Sequence, residues 1–398
     1  MLKQEYIMRF AARVDHLGGG SVRAWDIHNA GKDALARGEN VIVLSVGDPD
    51  FATPQAITDA AISALRNGDT HYTTVAGKRD LRKAIAAHQS RRTGLAFHED
   101  HVLIVAGAQN GLFSAAQCLF NPGDEVIVPE PAYLTYEATI GATGARMVRA
   151  SAKRDGSFRP DLAALEAAVT SRTRGIMMAN PGNPTGIVLN HTELEGIAAI
   201  AKKHDLWVIS DEVYAELVFD GSFKSIASVE GMAERTVTIG SLSKSHAMTG
   251  WRIGWMIAPE DLITHADHLA LCSLYGLPGF IQNGAIQAIA DLDHIAPQMR
   301  DIYRARCGVL CDPLKAANNL KVLYPDSGMF ALIDVRGTGL TAHDFAWGLF
   351  KAEGVSVLDA SAFGPAAEGY IRVAFTVSED ALADAAQRIL RYARSLSS

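Results

Sequence analysis

Residues 102–120, VLIVAGAQNGLFSAAQCLF, decide the fold. An apolar, β-branched run of strand length ends at Ala106-Gly107, and the chain passes straight into a helical stretch. The pattern then repeats. DEVIVPEP (124–131) leads to YLTYEATIGA (133–142), GIMMANPGNPTG (175–186) precedes TELEGIAAIAKKHD (192–205), and LWVISDEVY (206–214) and TVTIGSLSK (236–244) follow. Short Val/Ile-rich runs alternating with amphipathic helices over roughly 98–260 predict an α/β fold, a mostly parallel sheet covered on both faces. Gly107, Asn183, Asp211 and Ser241 each fall just past the C-terminal end of a predicted strand. In open α/β sheets ligands bind at that edge, so the chemistry is expected there.

The C-terminal third reads differently. A helical stretch over roughly 281–318 is followed by VLYPDSGMFALIDV, a helix near HDFAWGLFKAEG, the strands GVSVLD and YIRVAFT, and a last helix DALADAAQRILRYARSL. This predicts a smaller α+β domain over 291–398, a large domain over 46–290, and an N-terminal segment, 1–45, that joins the small one. GGGS at 18–21 is a short flexible spot.

Composition excludes several classes. With 37 Lys+Arg against 44 Asp+Glu the net charge is −7, and there is no basic run, so nucleic acid is not an expected partner. A hydrophobic fraction of 48% excludes intrinsic disorder. MLKQEYIMRFAARVDHL has no uninterrupted apolar core of a signal peptide, and HLALCSLYGLPGFIQ is too short to span a bilayer and carries Pro278 and Gly279. The 4 cysteines form no disulfide framework. Cys307 and Cys311 share a helix face without a second ligand pair, which favours packing over metal; no metal and a cytoplasmic setting are expected.

The strongest chemical signal is SLSKSHAMTGWRIGW, residues 241–255. A lysine at a strand end can form a Schiff base with a carbonyl cofactor once its ammonium pKa is lowered. Ser241, Ser243, Thr249 and Arg252 offer the hydroxyls and guanidinium fork that suit a phosphate dianion. The plain alternative is a surface loop with a solvated Lys244.

This stretch resembles the fold type I, class I/II aminotransferases that use pyridoxal 5'-phosphate. So do LSVGDPDFATP (44–54), THYTTVAGKRDLR (70–82), NPGNPTG (180–186), SDEVY (210–214) and YIRVAFT (370–376), in the family's order and spacing. The resemblance implies that Lys244 forms the Schiff base and then shuttles a proton. Asp211 would pair with the pyridine nitrogen, against the alternative of a strand-end or helix-cap aspartate. Tyr214 and Asn183 would reach the ring oxygen; Asn183 also suits a Pro-rich turn. Tyr133 matches a ring stacked on the cofactor, or else a core aromatic. The helix start Gly107-Ala108-Gln109 would add backbone N–H groups for the phosphate. Tyr72 matches a tyrosine that reaches the phosphate from a partner subunit, which implies a homodimer. Arg372, costly in an apolar strand unless partnered, matches the arginine that binds the substrate carboxylate, with Gly47 beside it; a structural salt bridge is the alternative.

Side-chain specificity is less legible. Arg23 would suit a dicarboxylate, and Trp25-Asp26 would offer a basic substrate an aromatic face and a carboxylate; each is equally a helix-start or surface residue. AWDIHNAG (24–31), GDTHYTTVAGKR (68–79) and LALCSLYGLPGFIQ (269–282) are more similar to arginine–pyruvate transaminases than to aspartate transaminases. The resemblance therefore implies amino transfer from arginine, or another basic or broad-range L-amino acid, to a 2-oxo acid such as pyruvate. The alternatives are an aspartate or aromatic transaminase using 2-oxoglutarate and a C–S lyase on the same fold. A ligand-sensing regulator would need a further DNA-binding module, for which the expected large domain leaves little room upstream.

Overall fold

The computed structural model describes residues 25–396 and, before them, residues 10, 11, 14 and 17. Arg23 and the GGGS spot lie outside the described residues. The first half runs α1 (Asp26–Ala36), β1 (Ile42–Val43), α2 (Gln55–Arg66), α3 (Arg79–Thr93), β2 (Val102–Val105), α4 (Ala108–Leu119), β3 (Glu125–Pro129), α5 (Tyr136–Gly141), β4 (Arg146–Ala150), α6 (Leu162–Ala167), β5 (Thr173–Ala179), α7 (His191–Lys203) and β6 (Trp207–Asp211). The second half adds β7 (Thr236–Ser241), β8 (Gly254–Ile257), α8 (Glu260–Ser273), α9 (Gly279–Ala290), α10 (Leu292–Leu314), β9 (Lys321–Leu323), β10 (Phe330–Asp334), α11 (Ala342–Glu353), β11 (Val355–Ser356), β12 (Leu358–Asp359), β13 (Tyr370–Ala374) and α12 (Glu379–Ser395).

Seven strands form the main sheet in the order β2-β8-β7-β6-β5-β3-β4. All pairs from β7 to β4 are parallel, whereas β8 runs antiparallel to both neighbours. Every residue of β2, β7 and β8 is buried, as a strand covered on both faces requires. Helix α7 opens on a reciprocal cap in which Asn190 Oδ1 accepts from the Glu193 N–H and Glu193 accepts from the Asn190 N–H. The sheet is the mostly parallel α/β sheet expected.

A second, antiparallel sheet has the order β12-β13-β10-β9, with α10, α11 and α12 packed together beside it. Strand β1 pairs in parallel with β11, and α1 contacts both strands. The segment after β1 continues along the second sheet, since the Ala374 N–H donates to the Leu44 carbonyl at 2.9 Å. That contact lays Ser45–Gly47 beside β13 and brings the second sheet's arginine to the first sheet's edge. Two details differ from the expectation. The helical stretch 281–318 is two helices that break at Asp291, whose carboxylate accepts from Gln287 at 2.7 Å, a use of aspartate at helix ends. The helix expected from Tyr133 begins at Tyr136.

Candidate active site

At the carboxyl ends of β5, β6 and β7 lies a cavity of about 190 Å³, lined by Ala108, Gln109, Tyr133, Asn183, Asp211, Tyr214, Ser241, Ser243, Lys244, Thr249 and Arg252. Its floor carries opposed charges. Asp211 ends β6, and its carboxylate accepts from the Tyr136 hydroxyl at 3.0 Å and from the Val213 N–H at 3.4 Å. Burial still pushes the Asp211 carboxyl up to about 6, against the pull of those two donors. Lys244 follows β7, and its Nζ donates to the Gly47 carbonyl at 2.7 Å. Burial brings its ammonium down to about 8, aided by Arg372 and Arg252 and opposed by Asp48 and Asp211. An amine in this state has a usable neutral fraction near pH 7. Tyr214 is buried, with its ring edge-on to Phe330 at 5.8 Å and its phenol pushed up by burial.

One end of the cavity is built for an anion. The Arg252 guanidinium donates to the Thr249 carbonyl at 2.6 Å and to the Ala106 carbonyl at 3.3 Å, and pairs with no carboxylate among the described residues. Gly107, with φ 80, makes room for it: a Cβ there would stand 2.2 Å from Arg252 Nη2. The first N–H groups of α4, those of Ala108 and Gln109, have no partner within the helix, and both residues line the cavity. Ser241 Oγ lies 2.8 Å from Ser243 Oγ and accepts from the Ser243 N–H at 3.0 Å, so the two hydroxyls are held as a pair.

The other sheet supplies Arg372. It is 5% exposed in the middle of β13, donating to Asn183 Oδ1 and to the Ser45 carbonyl, both at 2.9 Å. Its guanidinium lies over the ring of Phe330 at 4.3 Å and that of Phe363 at 5.0 Å, and its Nε has no hydrogen-bond partner among the described residues. Burial lowers it to about 10, so it stays charged at neutral pH with no carboxylate to balance it. The salt-bridge alternative fails, because both polar partners are neutral oxygens. Gly47 is required for close packing, since a Cβ there would meet the Phe330 ring at 2.2 Å.

Other expected residues stand apart. The Gln109 amide is engaged by Thr135 and Thr139 at 2.7 and 2.9 Å, which leaves only its backbone free to face an anion. Tyr72 is 86% exposed, its ring tilted against that of Tyr275 at 4.9 Å, and is not part of the cavity wall in its own chain. Trp25 and Asp26 are exposed at the start of α1. They approach the cavity only indirectly: Trp25 packs on His28, His28 bonds Ser45 Oγ at 3.0 Å, and the Ser45 carbonyl takes Arg372. Cys307 and Cys311 are buried in the core, in accord with packing. Sequence reading missed Tyr136, Ser45, Phe330 and Phe363, none of which sits in a local pattern that separates a functional role from a core one.

Residues 39–389 match the family model for aminotransferase class I and II. The chain belongs to that family. It is similar to the arginine–pyruvate transaminase AruH of Pseudomonas aeruginosa, 47% identical over 98% of this chain and 99% of that one. It is also similar to the aspartate aminotransferase of Pyrococcus horikoshii, 33% identical over 88% of this chain and 90% of that one. Among solved structures, the Thermus thermophilus aspartate aminotransferase with maleate superposes with a TM-score of 0.91 at 29% identity, covering 97% of this chain and 100% of that one. This class I and II aminotransferase is a pyridoxal-phosphate-dependent transaminase, acting on amino and 2-oxo acids. Its residues fit the cofactor: an anion cradle cleared by Gly107, a depressed lysine and a buried carboxylate share one cavity. Among the described residues no helix is long and apolar enough to cross a membrane.

Proposed function

We propose that this aminotransferase takes the α-amino group of arginine, or of another basic or broad-range L-amino acid, and passes it to pyruvate. The observation that supports a carboxylate-bearing substrate is Arg372, a buried guanidinium with no anionic partner. Support for arginine is the 47% identity to the Pseudomonas aeruginosa enzyme of that name.

In this reading Arg252, the Ser241–Ser243 pair and the α4 N–H groups hold the cofactor phosphate, and Tyr133 covers the ring. Asp211 holds the protonated ring nitrogen, and Tyr214 and Asn183 hold the ring oxygen. The bound cofactor supplies an electron-withdrawing ring that receives the electron pair left at Cα. Arg372 and Asn183 fix the substrate carboxylate, which orients the Cα–H bond. Lys244, about 8 by burial, would as a neutral amine take the proton from the substrate Cα and hold it as an ammonium until it is given back. Asp26 with Trp25 meets the substrate guanidinium. Two copies of the chain complete the site, Tyr72 reaching across, and the four free cysteines suit a cytoplasmic setting.

The test is a visible titration of the purified enzyme with single amino acids and no acceptor. Arginine is expected to convert the aldehyde-form band to the amine-form band, and to do so poorly in Asp26→Ala. Conversion by aspartate and not arginine would favour the aspartate-type alternative, for which relatives near 33% identity speak. Unchanged arginine kinetics in Asp26→Ala would remove Asp26 from the substrate site.

A further inference from the structure

Successive strand residues point to opposite faces, so the residue after Asp211 turns away from the cavity. Glu212 is not part of the cavity wall, and its side chain is 1% exposed. Its Oε1 accepts from the Ser225 hydroxyl at 2.6 Å and the Ser210 hydroxyl at 3.0 Å, while Oε2 has no hydrogen-bond partner among the described residues. The nearest cation is Arg92 of α3, at 3.9 Å.

Arg92 is committed elsewhere. Its other terminal nitrogen donates to the Glu216 carboxylate and lies 2.9 Å from His88 Nε2, which is itself 3.0 Å from Glu216. Among the described residues no other cation acts on Glu212. Burial, with Arg92 and Arg91 adding and Asp293 opposing, holds His88 neutral, at about 3. His246, two residues after Lys244, is neutral by burial, at about 4, and is repelled electrostatically by His88. Arg91 is exposed. The seam thus sets two carboxylates against one guanidinium, and a bare negative charge in a dry interior is expensive. Glu216 takes the direct contact with Arg92 and is 23% exposed, so the carboxyl left short is Glu212. Burial raises it to about 7, with Asp211 adding and Arg92, Ser225 and Ser210 opposing.

We propose that Glu212 is a positioning residue for the transamination: it carries a proton behind Asp211 near neutral pH and so keeps Asp211 ionised against the ring nitrogen. The proposal rests on the reading of Asp211 given above. When Glu212 loses its proton, a second negative charge appears behind Asp211, and the protonated form of the cofactor's nitrogen groups is held to higher pH.

Glu212→Gln freezes the neutral state in the same shape. In holoenzyme titrated from about pH 6 to about 9.5, the apparent pKa of the visible cofactor band is expected to fall by about 0.5 to 1 unit in this variant. Glu216→Gln releases Arg92 to Glu212 and is expected to leave Glu212 charged to lower pH, so its band shifts the other way or stays. A folded Glu212→Gln enzyme of native size whose band titrates within about 0.2 unit of wild type overturns the proposal. Asp211→Asn separates the two readings. If it shifts the band and Glu212→Gln does not, only the role of Glu212 falls; if neither shifts it, the Asp211 reading falls as well. Should Glu212→Gln not fold, infrared spectra of ¹³C-glutamate-labelled holoenzyme decide. They are taken in a Glu130→Gln background, since burial also raises Glu130. A neutral glutamic-acid carbonyl band at about pH 6.5 that vanishes by about pH 9 is expected, and its absence at about pH 6.5 overturns the proposal.

Discussion

Arg252 and Arg372 serve one reaction site from two different sheets, and they are held in opposite ways. Arg252 is exposed, sits at φ 52, and is steered by two backbone carbonyls across a gap that Gly107 keeps open. Arg372 is buried in mid-strand, pinned between two aromatic rings and two neutral oxygens. The contrast follows from what each would hold. A charge pair at 4 Å is worth about 1 kcal/mol in water and about 4 kcal/mol at the effective dielectric of a protein site. A cofactor phosphate that stays bound can be shared among many modest donors. A substrate carboxylate that must bind, react and leave needs one strong, oriented contact, and a desolvated guanidinium without a resident anion is such a contact.

The largest effect expected from breaking this contrast is at Arg372. Arg372→Leu should lower kcat/KM for every amino acid by about 10³-fold, in the range for losing one partner of a buried charge pair. The visible cofactor band should persist, with cofactor Kd changed by less than about 3-fold. Arg372→Lys should recover little, because an ammonium lacks the planar fork. Steady-state kinetics and absorbance titration check both; an equal loss of cofactor affinity would mean that the two arginines share one task. Arg252→Ala should do the reverse and more mildly. Cofactor Kd should rise by about 10- to 100-fold, the size of one or two charge-assisted hydrogen bonds, while turnover at saturating cofactor falls by less than about 10-fold. Salt should weaken cofactor binding in wild type more than it weakens substrate binding, since exposed charge is screened and buried charge is not.

The two arginines were unequally legible. Arg252 sits in SLSKSHAMTGWRIGW, where lysine, hydroxyls and guanidinium lie within one loop, so local pattern was enough to suggest an anion site. Arg372 announced itself only as a charge in an apolar strand; its lack of an anionic partner needed Asn183, 189 residues away, and Ser45, 327 residues away. The parallel sheet was readable because β2, β5, β6 and β7 carry short runs rich in Val, Ile or Met that end at or near odd residues. Strand β4, RMVRA, was not, because an edge strand with two arginines and half-exposed faces has no such run. The reversed direction of β8 was also hidden, since direction depends on the connection and not on composition. Trp25 and Asp26 show the limit from the other side. Their residue types suit a basic substrate, yet among the described residues the chain Trp25–His28–Ser45–Arg372 is what ties them to the site.

Tyr136 gives the smallest effect and the finest test of how the two sheets divide the work. Nothing in a tyrosine on an amphipathic helix separates a core ring from a functional hydroxyl; its meaning comes from Asp211, 75 residues on. The Tyr136 hydroxyl donates to the carboxylate and pulls it down, while burial pushes it up to about 6. Tyr136→Phe removes the donor and should raise Asp211 further. The folded-state pKa of Asp211 is already above its unfolded value of 3.8, so its contribution to stability is intact below about pH 4 and is lost as pH rises through about 6. The variant should therefore melt close to wild type at about pH 4. At about pH 8 the apoprotein should be less stable by about 1.5 to 3 kcal/mol, the range for a hydrogen bond to a charged group. With cofactor bound, the positive ring nitrogen offsets much of that penalty, and kcat should fall only about 3- to 10-fold. Thermal melts at the two pH values, with and without cofactor, check this. A loss of stability equal at both pH values would mean that the Tyr136 hydroxyl supports the β6 end whether or not Asp211 is ionised. Asp211 would then be held in its ionised state by its surroundings on the other face of the strand.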